Sequence, residues 1–349
     1  MPSEPERRGG EWLREEGPES DIVMSSRIRL ARNLEGFPFV LQATGDQKRE
    51  IERIIRTRLM KAVFPEDGTY VDVEDLDDVG KQYLIERHLI SRELAASEGK
   101  RGVAHAASEV SAVMVNEEDH LRMQVIRSGF ELDRTWDEMV ALDDAMEKEL
   151  EFAFSPQFGY LTACPTNVGT GMRASVMLHL PALVMTKEIE KVFQAVSKIN
   201  LAVRGLYGEG TQASGDFYQI SNQVTLGRSE SAVIDNIKRV VPRIIGYERN
   251  VRELLMTENR VSLEDKVFRA FGILRNARSI ASEESTNLLS ALRLGVTLGL
   301  VNDLGLDLVN ELFVVTQPGH LQHAEQRELE ARERDEQRAT LIRGLLGAE

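Results

Sequence analysis

The sequence predicts an α+β protein in which an antiparallel β-sheet is followed by an all-helical C-terminal domain. Four segments alternate apolar and polar side chains with the period of two that half-buried strands require. From about Leu254 onward, apolar residues instead recur at helical spacing. A sheet with one dry face and one arginine-bearing face accounts for all four alternating segments.

The predicted strands share a pattern in which arginine lies opposite an apolar set. In the strand 21–30, Arg27 and Arg29 lie opposite Ile22, Met24, Ser26, Ile28 and Leu30. The later strands 120–126, 172–180 and 201–204 carry Arg122, Arg173 and Arg204, respectively. A single arginine on such a strand is as often a solvated surface residue as a ligand-binding one. Five of them on one face repel one another unless an anion lies between them, so together they predict a site for nucleotide phosphates.

The C-terminal third is predicted to be helical over 261–273, 282–300 and 303–314, with a last, highly charged helix between Leu321 and Leu346. A change of pattern between Pro242 and Glu258 predicts the domain junction. We therefore expect a catalytic domain over residues 1–248 and a helical domain over residues 249–349.

Composition sets the class of protein. A chain of 349 residues with 42% hydrophobic content is expected to form about two globular domains. The formal net charge of -14 argues against a nucleic-acid partner, which needs a basic footprint. The charged start of the chain, the lack of a run of about 18 apolar residues and the single cysteine predict a cytoplasmic protein without a membrane span.

That cysteine, Cys164, opens a loop of turn-forming residues, 164–171, which leads directly into the Arg173 strand. A lone cysteine is most often a small buried hydrophobe. A polar loop beside an arginine instead favours the thiolate, which can pair with a cationic substrate.

Two acidic turns flank the arginine strands. Glu118 lies in the turn 116–120, just before the Arg122 strand, and Glu209 lies in a loop with three glycines after Arg204. Each turn alone is weak evidence, because acidic turns are common. A pair of acids beside a phosphate site is what a cationic phosphoryl acceptor would need.

Other phosphate-binding motifs are missing from the sequence. The glycines before Lys81 and Lys100 do not belong to a P-loop, no G-x-G-x-x-G opens a helix after a strand, and the protein-kinase signatures do not occur. The nucleotide is therefore predicted to bind through arginines on a sheet.

The order of these motifs resembles that of the guanidino (phosphagen) kinases, the ATP:guanidino phosphotransferases. The matching segments are 25–29, 116–122, 164–167, 173–175, 204–209 and 221–227. Within that family the chain is most similar to the bacterial protein-arginine kinases. The resemblance implies an antiparallel sheet flanked by helices and the use of ATP with Mg²⁺, which would be held by ATP and water rather than by a protein cage.

The resemblance also implies roles for individual residues. Glu118, Glu209 and Cys164 are expected to be catalytic, with the glutamates orienting and deprotonating the acceptor guanidinium. The expected ATP-binding residues are Ser25, Ser26, Arg27, Ile28, Arg29, His88, Arg122, Arg173, Ala174, Ser175, Val176, Met177, Arg204, Gly205, Leu206, Tyr207 and Gly208.

Two departures from the small-molecule members point to protein substrates. Only 24 residues precede Ser25, which leaves no room for the helical domain that closes over free guanidines in those members. The last predicted helix contains Arg334, Asp335, Arg338 and Ala339 in an R-D-x-x-R-A pattern, which in the protein-arginine kinases binds phosphoarginine away from the active site. The pattern alone is also typical of a solvated helix with i,i+4 ion pairs.

The sequence thus predicts a kinase for protein arginine, with phosphoarginine feedback through its helical domain. The family implies a Clp protease or chaperone as partner, and a role in stress responses. An activator protein and a homodimer are further expectations. The alternatives are a kinase for free arginine or another small guanidine, and a non-catalytic phosphoarginine-binding adaptor.

Overall fold

The computed structural model describes residues 10–14, 16–65, 68–205 and 214–347. An eight-stranded antiparallel sheet runs through it in the order β2-β3-β4-β5-β1-β8-β10-β9. Its strands are β1 (Val23–Arg32), β2 (Thr69–Asp72), β3 (Gly102–His105), β4 (Ser111–Val115), β5 (Leu121–Ser128), β8 (Met172–His179), β9 (Leu201–Gly205) and β10 (Phe217–Asn222). A separate two-stranded ribbon is formed by β6 (Phe154–Ser155) and β7 (Gly159–Tyr160).

Helices cover both faces of this sheet. The helices before residue 260 are α1 (Gly45–Ala62), α2 (Asp78–Glu86), α3 (Arg92–Ala96), α4 (Leu132–Glu147), α5 (Pro181–Met185), α6 (Ile189–Ser197) and α7 (Glu230–Glu258). Of these, α1, α4, α5, α6 and α7 contribute to the core on the dry face of the sheet. Ile28 and Leu30 of β1 are buried in one core with Ile55 of α1, Met139 of α4 and Ile237 of α7. The predicted α+β architecture, with an antiparallel sheet flanked by helices, is confirmed.

The opposite face has three zones. Val103 of β3 and Met114 of β4 pack with Leu84 of α2 and Leu94 of α3 in a separate core at one side. Met24, Ile126, Met177 and Phe217 lie at one end, in a second core shared with the C-terminal helices. The arginines lie at the other end of the same face. The C-terminal helices therefore pack on the sheet face that carries the site, instead of forming a detached appendage.

Met24 was predicted on the wrong face. The pairing of β1 with β8 shifts its register between Val23 and Ser25, as at a β-bulge, which reverses the alternation. Val23 accordingly packs in the same core as Ile28, while Met24 packs with Met177 in the second core.

The C-terminal part consists of α8 (Arg260–Asn276), α9 (Ser282–Thr297), α10 (Leu306–Val315), α11 (Pro318–Glu325) and α12 (Ala331–Leu345). The single charged helix predicted between Leu321 and Leu346 is wrong, because Gln326 takes a left-handed conformation that ends α11. Helix α7 runs unbroken past residue 248 to Glu258, with Pro242 inside it. The predicted domain border thus lies within a helix, and the border stays a prediction.

Buried Arg293 of α9 ties this part to the sheet. It donates hydrogen bonds to the carbonyls of Ser20 and Asp21 at 2.7 and 3.0 Å and lies 3.0 Å from Nδ1 of His179. Among the described helices, none combines the length and apolarity needed to cross a membrane.

Candidate active site

The arginine layer is built by neighbouring strands of the sheet. Arg29 on β1 is the register partner of Arg173 on β8, and Arg122 on β5 is paired with Ala31, two residues further along β1. Arg27 lies on the same face of β1 as Arg29. Side chains two residues apart on a strand share a face, so the pairing brings these arginines together.

Burial and mutual repulsion disfavour the charge on these groups. Desolvation, followed by the charges of Arg122 and Arg173, lowers the pKa of Arg27 to about 10. Desolvation and the charge of Arg204 lower the pKa of Arg173 to about 10, and desolvation with Arg27 beside it lowers the pKa of Arg29 well below its ordinary value. These arginines therefore place several positive charges close together, partly shielded from water.

Two of these guanidinium groups have unused donors. The Nε atoms of Arg29 and Arg173 are buried and have no hydrogen-bond partner among the described residues. NH2 of Arg173 donates to Oγ of Ser221 at 3.0 Å. Buried donors are normally paired, so the layer fits an anion with several oxygens, such as the phosphate chain of a nucleotide.

Arg122 differs from Arg29 and Arg173, because it has an acidic partner. Its NH1 lies 2.5 Å from Oε1 of Glu117, whose side chain is 1% exposed. Oγ of Ser91 donates to the same oxygen at 2.6 Å, and the N–H of Glu118 donates to Oε2 of Glu117 at 2.9 Å. Burial alone would lower the pKa of Arg122, but the Glu117 carboxylate raises it.

Glu118 is the predicted base, and it lies in the turn between β4 and β5. Burial, together with the charges of Asp119 and Glu117, raises its pKa above the ordinary range. The adjacent Asp119 is turned inward, accepting from Nδ2 of Asn33 at 2.6 Å and from the N–H of Ala163 at 2.7 Å. The second bond joins the acidic turn to the residue before Cys164.

Cys164 is partly exposed in the loop that leads to β8. Its Sγ lies 3.0 Å from Oγ1 of Thr166. Thr225, from the chain after β10, donates to the carbonyls of Thr166 and Val168 at 2.8 and 2.7 Å. These bonds give the thiol loop a defined shape, and the common interpretation of a lone cysteine as a buried hydrophobe does not apply.

A cleft of about 440 Å³ joins these parts. The predicted residues that line it are Arg29, Glu118, Arg122, Cys164 and Arg173. Its other walls include Glu117, Leu41, Glu93, Ser97 and Asn167. A volume of this size is typical of small-molecule sites.

His88 lies behind the arginines. It adopts a left-handed φ of 61°, and its carbonyl accepts from Nε2 of Gln124 at 2.5 Å. Burial and the charges of Arg27 and Arg29 lower its pKa to about 3, so the ring is neutral. Trp12 contacts it edge-on at a centroid distance of 4.9 Å.

Several predicted ATP-binding residues do not present their side chains to the cleft. Those of Ile28, Ala174 and Val176 point into the core beneath the sheet, and Met177 packs in the second core. Ser26 is buried and donates to the carbonyl of Gly129, while Ser25 lines a small cavity beside His88. Gln219 donates to Ser175 at 3.1 Å. Any nucleotide contact from the core-facing residues would come from the backbone.

The predictions on the glycine-rich loop concern residues outside the described part. Leu206, Tyr207, Gly208 and Glu209 lie in the segment 206–213, between the described ranges. Arg204 and Gly205 end β9, and the charge of Arg204 acts on Arg173.

Sequence reasoning missed Glu117 and Ser91 as the support of Arg122. Glu117 stands next to Glu118 in the same acidic turn, and the spacing offered no way to tell the inward from the outward carboxylate. The pairing with Ser91 connects residues 26 apart. Within the described ranges, no group of three His, Cys, Asp or Glu residues could hold a metal ion.

The predicted phosphoarginine motif lies on α12, and much of it is buried. Arg338 is 1% exposed and donates to the carbonyls of Thr316 and Ile280 at 2.8 and 2.7 Å and to Asp335 at 2.6 Å. Ala339 is in the second core. Arg334 donates to the carbonyl of Leu329 at 2.7 Å. Arg338 thus has a structural role in this conformation, and phosphoarginine binding stays a prediction.

A half-buried layer of arginines facing a carboxylate turn and a thiol, across one cleft, is the arrangement of a guanidino kinase. The model of the ATP:guanido phosphotransferase C-terminal catalytic domain matches residues 50–251. The model of the protein-arginine kinase McsB C-terminal domain matches residues 260–349. The two matched ranges are separated by residues 252–259, and α7 ends within that gap, at Glu258.

Relatives of similar length match nearly the whole chain. The chain is 47% identical to the protein-arginine kinase of Moorella thermoacetica, over 97% of this chain and 98% of the relative. It is 48% identical to that of Brevibacillus brevis, over 95% and 94%. The chain belongs to the ATP:guanido phosphotransferase family, in its protein-arginine kinase branch.

Solved structures agree on the fold of the catalytic part. The duplicated taurocyamine kinase from Schistosoma mansoni, with bound components of a transition state analog, has a TM-score of 0.59 and 30% identity. The match covers 66% of this chain and 33% of that duplicated one. A lombricine kinase has a TM-score of 0.58 and 28% identity, over 69% and 71% of the two chains.

Proposed function

We propose that this protein is a protein-arginine kinase that transfers the γ-phosphoryl group of ATP to arginine side chains of proteins. The observation that carries the proposal is the register pair Arg29 and Arg173, whose buried Nε donors lack partners beside the acidic turn of Glu118. The names and coverage of its relatives support a protein acceptor rather than a small guanidine.

The arginines have the role of phosphate ligands. Arg27, Arg29, Arg122, Arg173 and Arg204 would surround the phosphate chain, as the family resemblance implies. Transfer of a phosphoryl group depends mainly on positioning and on stabilising charge that spreads over its oxygens. Because Arg27, Arg29, Arg122 and Arg173 are already partly desolvated and fixed in strands, little reorganisation is needed when that charge develops.

Glu118 has the role of a general base. A protonated guanidinium is a poor nucleophile, since its pKa lies above about 12. The carboxylates of Glu118 and, from the loop after β9, Glu209 would hold the acceptor guanidinium and take a proton as its nitrogen attacks. The new P–N bond forms as the bond between the γ-phosphorus and the bridging oxygen breaks, and ADP leaves.

Cys164 completes the acceptor site. Its partly exposed sulfur lies on the cleft wall beside Thr166 and Asn167. A thiolate there would pair with the acceptor guanidinium and orient it toward the phosphate. Mg²⁺, when bound, would neutralise phosphate charge and would be held mainly by ATP and water.

Further assignments rest on the branch to which the chain belongs. We propose cytoplasmic action in stress responses, regulated by an activator protein and by phosphoarginine at Arg334, Asp335, Arg338 and Ala339, with marked proteins passing to a Clp protease or chaperone. A homodimer is supported by the exposed side chains of Leu254, Val261 and Phe268 near the junction of α7 and α8.

The decisive experiment is transfer of labelled phosphate from Mg-ATP, with an arginine-rich protein and free arginine offered in parallel. Acid-labile label on the protein, lost in Glu118→Gln and Glu209→Ala, is the expected result. Label on free arginine alone would identify a small-guanidine kinase. Binding to arginine-phosphorylated proteins with no transfer to either acceptor would identify an adaptor.

A further inference from the structure

A second pocket, as large as the cleft, lies between α2 and the C-terminal helices α11 and α12. It has a volume of about 490 Å³, within the range of small-molecule sites. None of the residues assigned to nucleotide, acceptor or phosphoarginine lines it. It is therefore separate from the active site and from the R-D-x-x-R-A motif.

The walls of this pocket are largely apolar and aromatic. Leu321, Leu341, Leu345 and Val315 provide aliphatic surface. Tyr83 of α2 is stacked on His323 of α11, with ring centroids 4.0 Å apart and an interplanar angle of 19°. A flat apolar body would fit against these surfaces.

The charge of the lining disfavours an anionic ligand. Among the residues that line it, none is Lys or Arg, and Glu325 carries a negative charge. A second carboxylate, that of Glu86, lies immediately behind the His320 ring. The charges that act on the His320 ring are those of Glu86, Arg87 and Glu109, so negative charge predominates and favours a neutral or cationic ligand.

His320 gives the pocket wall one specific polar feature. Glu86 accepts from the N–H of Gly319 at 2.8 Å, from the N–H of His320 at 2.9 Å and from the His320 Nδ1 at 2.9 Å. Because the carboxylate only accepts, Nδ1 carries the hydrogen and Nε2 is a lone-pair acceptor. Burial lowers the pKa of His320, which keeps the ring neutral.

That Nε2 acceptor is buried and has no hydrogen-bond partner in the described structure. A buried unsatisfied group in a native fold calls for a partner. The polar side chains of Thr340 and Gln337 lie on the same lining and can bind further polar atoms of a ligand.

Gly344 keeps space in the pocket open. It lies within α12 and lines the pocket, and a Cβ added there would meet nothing within 4 Å. Glycine inside a helix costs about 1 kcal/mol relative to alanine, so a larger residue would favour the helix but would fill the pocket.

We infer that this pocket binds a small, flat, neutral or cationic organic molecule that donates an N–H hydrogen bond to Nε2 of His320. The apolar body of the ligand lies between the Tyr83–His323 pair and the leucines of α12. Such a ligand contacts both α2, which leads directly to His88, and the last two helices of the chain, α11 and α12.

Indole and 1-methylindole are matched probes for this inference, since only indole carries the N–H donor. We expect indole to bind the full chain with a dissociation constant on the order of 1 mM, as for a ligand of this size, and 1-methylindole to bind about tenfold more weakly. Ligand-observed NMR measures both. No indole binding at 10 mM, or equal binding of the two probes, would overturn the inference.

Substitution of glycine tests the location. Gly344→Leu is expected to abolish indole binding without lowering the melting temperature. Gly272→Leu is the matched control, because Gly272 lies in α8 with open space around its Cα and does not line the pocket. Retained binding in Gly344→Leu contradicts the assignment. A change in oligomeric state confined to Gly344→Leu would show that a second copy of the chain, and no small molecule, occupies the pocket.

Discussion

Arg29 on β1 and Arg173 on β8 face each other as direct register partners, and the Nε atom of each is buried without a partner in the described part of the chain. Like charges directly opposite on neighbouring strands destabilise a sheet. The fold holds them together nevertheless, because apolar side chains on the other face of the same strands are packed in the core. The repulsion between the two arginines therefore lowers the stability of the nucleotide-free fold, and a bound polyanion would restore it.

Arg173→Met is expected to separate stability from binding. Removing one buried cation should raise the unfolding free energy of the nucleotide-free protein by about 0.2–1 kcal/mol. ATP affinity should fall about ten- to hundredfold, because charge-assisted hydrogen bonds are lost. Thermal unfolding with and without Mg-ATP measures both effects. Arg53→Met, on the exposed side of α1, should change neither quantity, and a lower melting temperature for Arg173→Met would refute the expectation.

The acid limb of the activity profile should report Glu118. Its pKa is raised by burial and by the charges of Asp119 and Glu117, so protonation should remove the base at a pH above the ordinary 4.5. Asp119→Asn takes away the charge of a neighbour and should move the limb of kcat/KM to lower pH. Glu93→Gln should give a smaller shift in the same direction, because the charge of Glu93 has a weaker effect on Glu118. An unchanged limb in Asp119→Asn would exclude Glu118 as the titrating group.

The sequence was informative where a local pattern determined the structure. The strands bearing Arg27, Arg122, Arg173 and Arg204 were predicted because a period of two assigns each side chain to a face. Met24 was misplaced because the shift of register before Ser25 depends on pairing with β8. The strands β2, β3 and β10 were not predicted; two of these are four residues long.

Long-range contacts could not be predicted from spacing. The Glu86 carboxylate accepts from the backbone N–H groups of residues 319 and 320, more than 230 positions away. No local sequence pattern predicts this contact. The burial of Arg338 is another case. Arg338 would lie at i+4 from Arg334 whether it were exposed to bind phosphate or buried in a structural role. Only its hydrogen bonds to the carbonyls of Ile280 and Thr316 decide between the two.

Helix α9 should influence turnover through the end of the loop that carries Glu209. Oδ1 of Asn287 accepts from the N–H of Gly215 at 3.1 Å, and Oγ of Ser290 donates to Asp216 at 2.8 Å. Gly215 has a φ of 70°, and a Cβ there would lie 2.7 Å from Thr286, so this segment has little freedom. We expect Asn287→Ala to lower kcat about tenfold, since the geometry of a catalytic group is sensitive to small displacements.

The KM for ATP should change less than kcat in Asn287→Ala, because Arg27, Arg29, Arg122 and Arg173 lie on β1, β5 and β8 and not in the loop that carries Glu209. Asn287→Asp retains an acceptor for the Gly215 N–H and should restore most of the activity. Glu209→Gln belongs in the same series. If it is inactive while Asn287→Ala has normal kcat, the helix has no positioning role; if Glu209→Gln turns over normally, the role of Glu209 itself is wrong.

Arg334 and Arg338 should differ sharply when each is replaced by methionine. Arg338 is buried, and its loss would leave the carbonyls of Ile280 and Thr316 without their donor, which should cost roughly 2–4 kcal/mol. Arg334 is partly exposed and donates a hydrogen bond to the carbonyl of Leu329, so Arg334→Met should cost about 1 kcal/mol or less. A folded Arg334→Met protein therefore allows a clean test of phosphoarginine binding.

Calorimetric titration with phosphoarginine should show binding to the wild type and an affinity at least about tenfold lower in the Arg334→Met variant, with free arginine as the control ligand. Equal affinity of both proteins for phosphoarginine would contradict the assignment of Arg334 to that site, because its guanidinium is the half of the motif still able to turn toward a phosphate.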